Sequence, residues 1–427
     1  MTAPAAARLG RPFWGLCGAA LASSIGDGAV LVGFPLLTST LTRDPRLLAG
    51  VAIAQRLPWL VLSLFTGVLA DRVDRRRLVG VVETLRMITV VLLGVAVVAH
   101  FHPLAVIYLA AFTLGSFETA FTAASGALIP ELVERPALGR ANGYLYAAQM
   151  SGEGVLGPAL GGLLAAVALA LPFLIDGATF AVSAAVLLVA LPARSGSAAP
   201  RLATASVLSG AAEGLRWFLG HRAVLLVAGF IACLALCQTA VMAVLVLWAE
   251  RYLHASRAGY GGLISVAAVG VVSAAVVTGK VLHRFRPAPL LLLAGGLAGL
   301  TYIVLGTTTS VVVAAAALLV EGAAVSMGNV VSAAVRQTLI PPELLGRVGN
   351  AMRTFIFGAM PVGALAGGLL ASAVGLRTTF VAAGVAQAVV VVAISGSLSR
   401  SLAEAPDGTA GPDARAAADL GLPASAG

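Results

Sequence analysis

The chain has 427 residues, of which 59% are hydrophobic and only 11% are charged, and its formal net charge is +9. A soluble domain usually carries about 25% charged residues, so this composition excludes an ordinary soluble protein and predicts one that crosses a bilayer many times. The arginines lie between apolar runs and form no solvated patch, so the positive charge predicts no nucleic-acid partner.

Apolar runs about 20 residues long, the length that crosses a bilayer as a helix, recur along the whole chain. Glycines, prolines and charged residues divide these runs into twelve predicted transmembrane helices. We expect the helices at residues 13–41, 46–70, 77–99, 103–128, 139–168, 171–192, 222–250, 257–282, 287–307, 309–336, 349–374 and 376–398.

The segments outside the spans are short, with one exception. The internal connection 193–221 is long and contains a short amphipathic stretch from Glu213 to Leu219, which predicts a helix on the membrane surface. Residues 400–427 are rich in Ala, Gly, Pro and Asp, and we expect a disordered tail. The predicted fold class is all-α integral membrane, with an N-terminal tail at 1–12 and six-helix bundles at 13–192 and 222–399.

The arginines are distributed unequally between the two ends of the spans. Most of them lie in the segments on the side that holds both chain ends and the long connection. Positive residues concentrate on the cytoplasmic side of membrane proteins. The sequence therefore predicts a multi-pass protein of the cytoplasmic membrane with both termini in the cytoplasm.

Signals in the first half of the chain recur in the second half in the same order. The fifth predicted span has Gly157 and then Gly161-Gly162-Leu-Leu-Ala, and the eleventh has Gly363 and then Gly367-Gly368-Leu-Leu-Ala. The fourth and tenth spans both end on Ile-Pro. This ordered series predicts two pseudo-symmetric halves of six helices each, which is a plan known from secondary transporters.

Two motifs resemble the major facilitator superfamily. The loop after the second span has a glycine, then Asp-Arg, then an arginine pair, and it resembles the signature loop that gates transport in that family; its residues are Gly67, Asp71, Arg72, Arg75 and Arg76. The fifth span has Gly157-Pro158 and Gly161-Gly162, which resemble the family's antiporter motif. The glycine expected four residues before Gly157 is Glu153, so this sequence departs from the motif there.

Three further segments, 24–27, 175–180 and 213–218, resemble a subgroup that contains macrolide-efflux and siderophore-export proteins. The resemblance implies export of an amphipathic small molecule by proton antiport with alternating access, without a cofactor. It also implies that the partners are the substrate, protons and the lipid bilayer, and we expect a monomer. Uptake and siderophore export remain alternatives.

Ionisable residues near the middle of spans cost about 2.5–3.5 kcal/mol each on insertion, so they indicate function. We expect Asp27 to carry the proton, with Arg56 on the next span as its partner, although a static Asp27–Arg56 pair is also possible. The coupling candidates are Asp27, Arg56, Glu118, Glu153 and Glu321.

Two further groups of residues complete the prediction. Glu83 and Arg86 lie one helical turn apart near the start of the third span, and we expect them to join the signature-loop network. Aromatic residues and a methionine at inner positions are candidates for a substrate pocket, with ordinary helix packing as the alternative: Phe117, Phe121, Tyr144, Tyr146, Met242, Phe355 and Phe357.

The sequence has no nucleotide-binding loop and no zinc-binding pattern. Cys17, Cys233 and Cys237 lie in apolar runs without a neighbouring histidine, so we predict no metal site. The prediction is therefore that the protein is not an enzyme. A membrane sensor or scaffold built on a transporter fold is the alternative from another class.

Overall fold

The computed structural model describes residues 9–62, 66, 73–134, 137–190, 204–282, 284–341 and 343–403. Within these residues the chain is almost entirely helical. Eleven helices are long and apolar enough to cross a membrane, and the predicted helix at 46–70 is described only from Pro45 to Val61.

The first half contains α1 (Arg11–Leu41), α2 (Pro45–Val61), α3 (Arg75–Val98), α4 (Leu104–Leu132), α5 (Leu138–Val167) and α6 (Leu171–Ala190). The linker contains α7 (Thr204–Gly220). The second half contains α8 (Arg222–Met242), α9 (Leu245–Tyr252), α10 (Arg257–Val281), α11 (Pro287–Thr307), α12 (Val311–Leu339), α13 (Leu345–Val374) and α14 (Leu376–Ala403).

Several helix starts are fixed by local chemistry. The carboxylates of Asp44 and Asp74 accept hydrogen bonds from the backbone N–H groups of Arg46 and Arg77 at 2.9 and 2.8 Å, and so cap α2 and α3. Ser256 caps α10 in the same way. Each cap satisfies a backbone donor that has no partner within its own helix.

Several helix ends differ from the predicted ones by a few residues, and three further differences concern a break, the linker helix and the C-terminal end. The predicted helix 222–250 is broken at Ala243 and Val244 into α8 and α9, although neither glycine nor proline marks the break. The linker helix begins at Thr204 and is longer than the predicted stretch. The last helix continues to Ala403, four residues into the predicted tail, and 404–427 lie outside the described residues.

The two halves use equivalent helix pairs. In the first half α1 packs on α5 and α6, α2 on α4, and α3 on α6; in the second half α8 packs on α13 and α14, α10 on α12, and α11 on α14. Between the halves, α5 packs on α10 and α13 packs on α2. This pairing is the pseudo-symmetry that the repeated motifs predict.

Glycines allow these helices to approach closely. A Cβ atom at Gly157 would lie 2.5 Å from the carbonyl oxygen of Ile25 in α1, and one at Gly363 would lie 2.3 Å from the carbonyl oxygen of Leu236 in α8. Small residues at membrane helix interfaces permit such backbone contact. The repeated glycines thus join equivalent helices in the two halves.

The halves meet on the side of the molecule opposite the linker. Ser39 at the end of α1 donates a hydrogen bond of 2.8 Å to Glu250 of α9, and Arg43 forms an ion pair with the same carboxylate. Arg257 of α10 donates to the carbonyl oxygen of Ala165 in α5 at 3.0 Å. These bonds hold the two halves together at that side.

On the linker side, α7 is attached to the second half. Glu213 and Arg347, at the start of α13, form an ion pair of 2.5 Å. Phe218 is buried in a cluster with Val348 and Met352 of α13. The linker helix therefore packs as part of the second half.

Candidate functional site

The first half encloses a small pocket of about 60 Å³ that is lined by charged side chains. Each helix from α1 to α6 contributes at least one residue to the lining of this pocket. Six of the lining residues are ionisable: four have carboxyl groups and two have guanidinium groups. We call these six the acid cluster: Asp27, Arg56, Arg86, Glu118, Glu153 and Asp176.

Asp27 and Arg86 form the ion pair at the centre of the acid cluster. Their side chains are 2.5 Å apart, and that of Arg86 is only 3% exposed. The guanidinium group also lies 4.3 Å from the ring centre of Phe180 and 5.5 Å from that of Phe121. The prediction that Arg56 is the partner of Asp27 was wrong, because the long side chain of Arg86 reaches Asp27 from α3 between two aromatic rings.

Glu83 lies one turn from Arg86, and it is also fully buried. Its carboxylate accepts a hydrogen bond of 3.0 Å from Ser183 of α6. The sequence predicts that Glu83 and Arg86 join the signature-loop network. The structure places both against α6, which covers this face of α3, and places Arg86 within the acid cluster. Their membership of the signature-loop network stays a prediction, because most of that loop lies outside the described residues.

The signature loop itself is mostly outside the described residues. Gly67, Asp71 and Arg72 are not described, and neither is the side chain of Arg75. Arg76 donates to the backbone carbonyl of Leu188 in α6. The predicted gating role of this loop stays a prediction.

Glu153 lies in a π-helical turn, Ser151–Leu156, within α5. Such turns insert an extra residue into a helix and are frequent at functional sites. The glycine that the antiporter motif would place at 153 is not needed for packing here, because a Cβ at Gly152 would already lie 2.8 Å from Ser24 and Gly157 contacts α1 directly. The departure from the motif thus places a carboxyl group in the pocket while the glycine contact is kept by its neighbours.

Asp176 is a member of the acid cluster that the sequence analysis did not select as a site residue. It is 1% exposed and accepts a hydrogen bond from Thr179 at 3.2 Å. A Cβ at Gly26 would lie 2.1 Å from its carboxylate, so it is next to α1 and Asp27. The sequence did contain a signal for Asp176, because an aspartate inside an apolar run, here 171–190, is the same feature that identified Asp27 as a candidate.

Glu321 lies in the second half and outside the acid cluster. Its Oε1 atom accepts hydrogen bonds from Gln238 Nε2 at 3.0 Å and from the hydroxyl of Tyr302 at 3.1 Å. The side chain is 1% exposed. The structure therefore separates Glu321 from the other four coupling candidates.

A second cavity, of about 290 Å³, lies between the two halves. We call it the central cavity. Helices α1 and α2 line it from the first half, and α8, α10 and α13 line it from the second. Its walls are mainly apolar, and it shares three lining residues with the acid cluster pocket: Leu31, Gln55 and Arg56.

Of the predicted pocket residues, Met242 lines the central cavity and the other six do not. Phe121 contacts Arg86 and, like Phe117, belongs to a core cluster in the first half. The others pack on other aromatic rings or are exposed: Tyr144 on Trp14, Phe355 on Phe218, Phe357 on Trp59, and Tyr146 at 61% exposure. Aromatic character alone did not identify the wall of the cavity.

Known proteins resemble this chain in sequence along most of its length. Residues 2–409 match a family described as transmembrane secretion effectors. The multidrug efflux pump Tap of Mycobacterium tuberculosis is 30% identical over 380 residues, which cover 85% of this chain and 88% of that protein. An uncharacterised MFS-type transporter of Bacillus subtilis, YfiS, is 26% identical over 85% of this chain and 87% of its own length.

Solved structures share the fold at low sequence identity. A bacterial homologue of the human lysosomal transporter Spinster, in an inward-facing conformation, has a TM-score of 0.74 at 16% identity and covers 94% of this chain and 98% of its own. The nucleoside transporter NupG has a TM-score of 0.77 at 10% identity over 90% of this chain and 99% of its own. These likenesses concern the fold alone.

Proposed function

This chain belongs to the major facilitator superfamily, and from that premise we propose that it exports an amphipathic small molecule from the cell in exchange for protons. It is a multi-pass membrane protein, and we place its termini and linker in the cytoplasm. In this proposal the protein acts as a monomer, catalyses no chemical step and needs no cofactor.

The observation that carries the proposal is the acid cluster beside the central cavity. Its four carboxyl groups face only two guanidinium groups. If all were charged, the pocket would hold uncompensated negative charge in the membrane interior, which is costly. Binding of protons removes that charge, so the cluster is suited to take up and release protons during transport.

The position of the cluster supports coupling to a substrate. Gln55 and Arg56 line both the acid cluster pocket and the central cavity, so a molecule in the cavity is one side-chain layer from the carboxyl groups. A substrate that changes the position or charge of this layer changes the proton affinity of the cluster. The same coupling acts in reverse, since linkage between two binding sites is reciprocal.

Alternating access follows from the way the halves are joined. They are held together on the side opposite the linker by Glu250 and Arg257, which corresponds to a state closed toward the exterior. Rocking of the two halves around the central cavity would open that side. A membrane potential of about 100 mV supplies about 2.3 kcal/mol per proton, which supports a substrate gradient of roughly fiftyfold.

The proposal is tested in proteoliposomes that contain a pH-sensitive dye. The purified chain is given a panel of amphipathic compounds of positive, zero and negative charge, and at least one should cause a proton flux. Asp27→Asn should reduce that flux at least tenfold, because it removes a proton-binding carboxyl while keeping its volume. Glu134→Gln, at an exposed carboxyl outside the cluster, is the matched control and should leave the flux unchanged.

Two results would contradict the proposal. If no compound in the panel causes proton flux, the protein is not a proton-coupled transporter of this class. If Asp27→Asn transports as fast as the unmodified chain, the acid cluster does not carry the protons.

A further inference from the structure

The two halves carry different side chains at one equivalent position. Gly157 contacts α1 at the carbonyl of Ile25, and Gly363 contacts α8 at the carbonyl of Leu236. Two residues further along each helix are Asp27 and Gln238. The first half therefore has an ionisable carboxyl in this position, and the second half has a neutral amide.

The amide of Gln238 is held in one orientation. Its Nε2 atom donates to Glu321 Oε1, and the hydroxyl of Tyr302 donates to the same oxygen. An oxygen that receives two hydrogen bonds acts as an acceptor whether or not the other carboxyl oxygen carries a proton. Only the NH₂ end of the amide can bond to it, so Glu321 fixes which end of Gln238 faces it.

The opposite end of the amide is available for binding. Gln238 lines the central cavity, and its Oε1 atom receives no hydrogen bond from the part of the chain that the structure describes. On the same wall Met242 and Ala243 are apolar, and the hydroxyl of Thr239 donates to the backbone carbonyls of Ala235 and Met360. A carbonyl oxygen that faces a mainly apolar cavity can accept a hydrogen bond from a donor group of a molecule bound there, with a modest net gain in binding free energy.

We propose that Gln238 Oε1 is a specificity-determining contact for the substrate, and that it selects amphipathic molecules carrying an N–H or O–H donor. Glu321 is a positioning residue, which acts by orienting the amide. This inference rests on the proposed function, since it takes the central cavity as the substrate site. It assigns Glu321 in the second half to substrate recognition, and it leaves proton binding to the acid cluster in the first half.

The test compares two ligands that differ in one donor. Binding of 2-naphthylmethanol and of its methyl ether to the chain in lipid nanodiscs is measured by calorimetry. A neutral hydrogen bond contributes about 0.5–1.5 kcal/mol net, so the alcohol should bind about twofold to twelvefold more tightly than the ether. Gln238→Leu should abolish this preference and leave the affinity for the ether nearly unchanged.

Two further variants separate positioning from packing. In Glu321→Gln the new amide can donate or accept, so Gln238 is free to turn and the preference for the alcohol should fall below twofold. Met242→Leu replaces one apolar side chain of the same wall by another. It should change the affinities for the alcohol and for the ether by the same factor, so that their ratio is unchanged. A preference that survives in Glu321→Gln but is lost in Gln238→Leu would overturn the positioning role.

The specificity contact is overturned if the two ligands bind the unmodified chain equally, if neither shows saturable binding, or if Gln238→Leu keeps the preference. These outcomes are distinct from failure of the proposed function. Proton flux without a preference for the alcohol would overturn only this inference. A Gln238-dependent preference without proton flux for any compound would overturn only the proposed function.

Discussion

At the scale of single residues, Arg86 organises the acid cluster. It forms an ion pair with Asp27 and stacks on Phe180, and it is almost completely buried. A buried charge that loses its partner is strongly destabilising. The guanidinium group therefore has a structural role as well as its place next to the carboxyls for which we propose proton binding.

We predict that Arg86→Gln lowers stability by about 3–5 kcal/mol, the usual cost of breaking a buried ion pair. The stability of Arg86→Lys should lie between that of the unmodified chain and that of Arg86→Gln, because lysine keeps the charge but loses the planar contact with Phe180. Thermal unfolding in detergent, followed by size-exclusion fluorescence, measures the effect. Arg216→Gln, at an exposed arginine of α7, is the control and should change stability by less than about 0.5 kcal/mol; an equal effect of both variants would contradict the buried role.

At the scale of helices, close glycine contacts set the spacing of the bundle. A Cβ at Gly161 would lie 2.5 Å from the carbonyl oxygen of Ala29, and one at Gly367 would lie 2.2 Å from that of Ala240. Neither backbone oxygen can move without its helix. On its other face α5 contacts the second half, where a Cβ at Gly162 would lie 2.8 Å from the Cα of Gly261.

Gly161→Ala and Gly367→Ala should each destabilise the protein by about 1–3 kcal/mol, since the added methyl group overpacks a backbone contact. Gly143→Ala lies in the same helix as Gly161, and nothing is within 4 Å of its added Cβ. That control should be neutral or stabilise by up to about 1 kcal/mol, because alanine favours a helix. The same unfolding assay applies, and a neutral Gly161→Ala would show that α1 and α5 separate more easily than their contact suggests.

At the scale of the whole molecule, the contacts opposite the linker join the two halves at that side. Glu250 binds both Ser39 and Arg43 and thus joins α9 to the end of α1. Next to it, the side-chain hydrogen bond from Arg46 lowers the pKa of Asp44 and keeps this carboxylate charged. The carboxylate of Asp44 is thereby engaged within its own half, and Glu250 is left as the carboxylate that links the halves at this point.

Glu250→Gln should shift the population toward the state that is open on the side opposite the linker. Arg43 is 71% exposed, and exposed ion pairs contribute about 1 kcal/mol or less, so the shift should be about fivefold at most. Spin labels at Phe101 and Thr309, both exposed at that side, measure it by distance distributions. The longer distances should gain population in the variant; identical distributions would show that Glu250 is not part of the gate.

How much could be predicted from the sequence differs between fold and site. The apolar runs predicted the positions of eleven transmembrane helices, because a bilayer imposes helix length and composition on each span. The break at Ala243 was missed, since apolar composition does not report where a helix bends. Among the candidates, Asp27, Glu118 and Glu153 do line one pocket, because a carboxyl in an apolar span has few places to lie other than the bundle interior.

What the sequence by itself determined is the membrane class, the repeat and the family, all of which depend on local composition and order along the chain. Only the tertiary structure decided that Asp27 pairs with Arg86 and not Arg56, that Asp176 joins the acid cluster, and that Glu321 bonds to Gln238 instead. The physical reason is that partner choice depends on which helix faces which and how far a side chain reaches. Spacing along one helix reveals a face, but only packing of the helices determines what that face contacts.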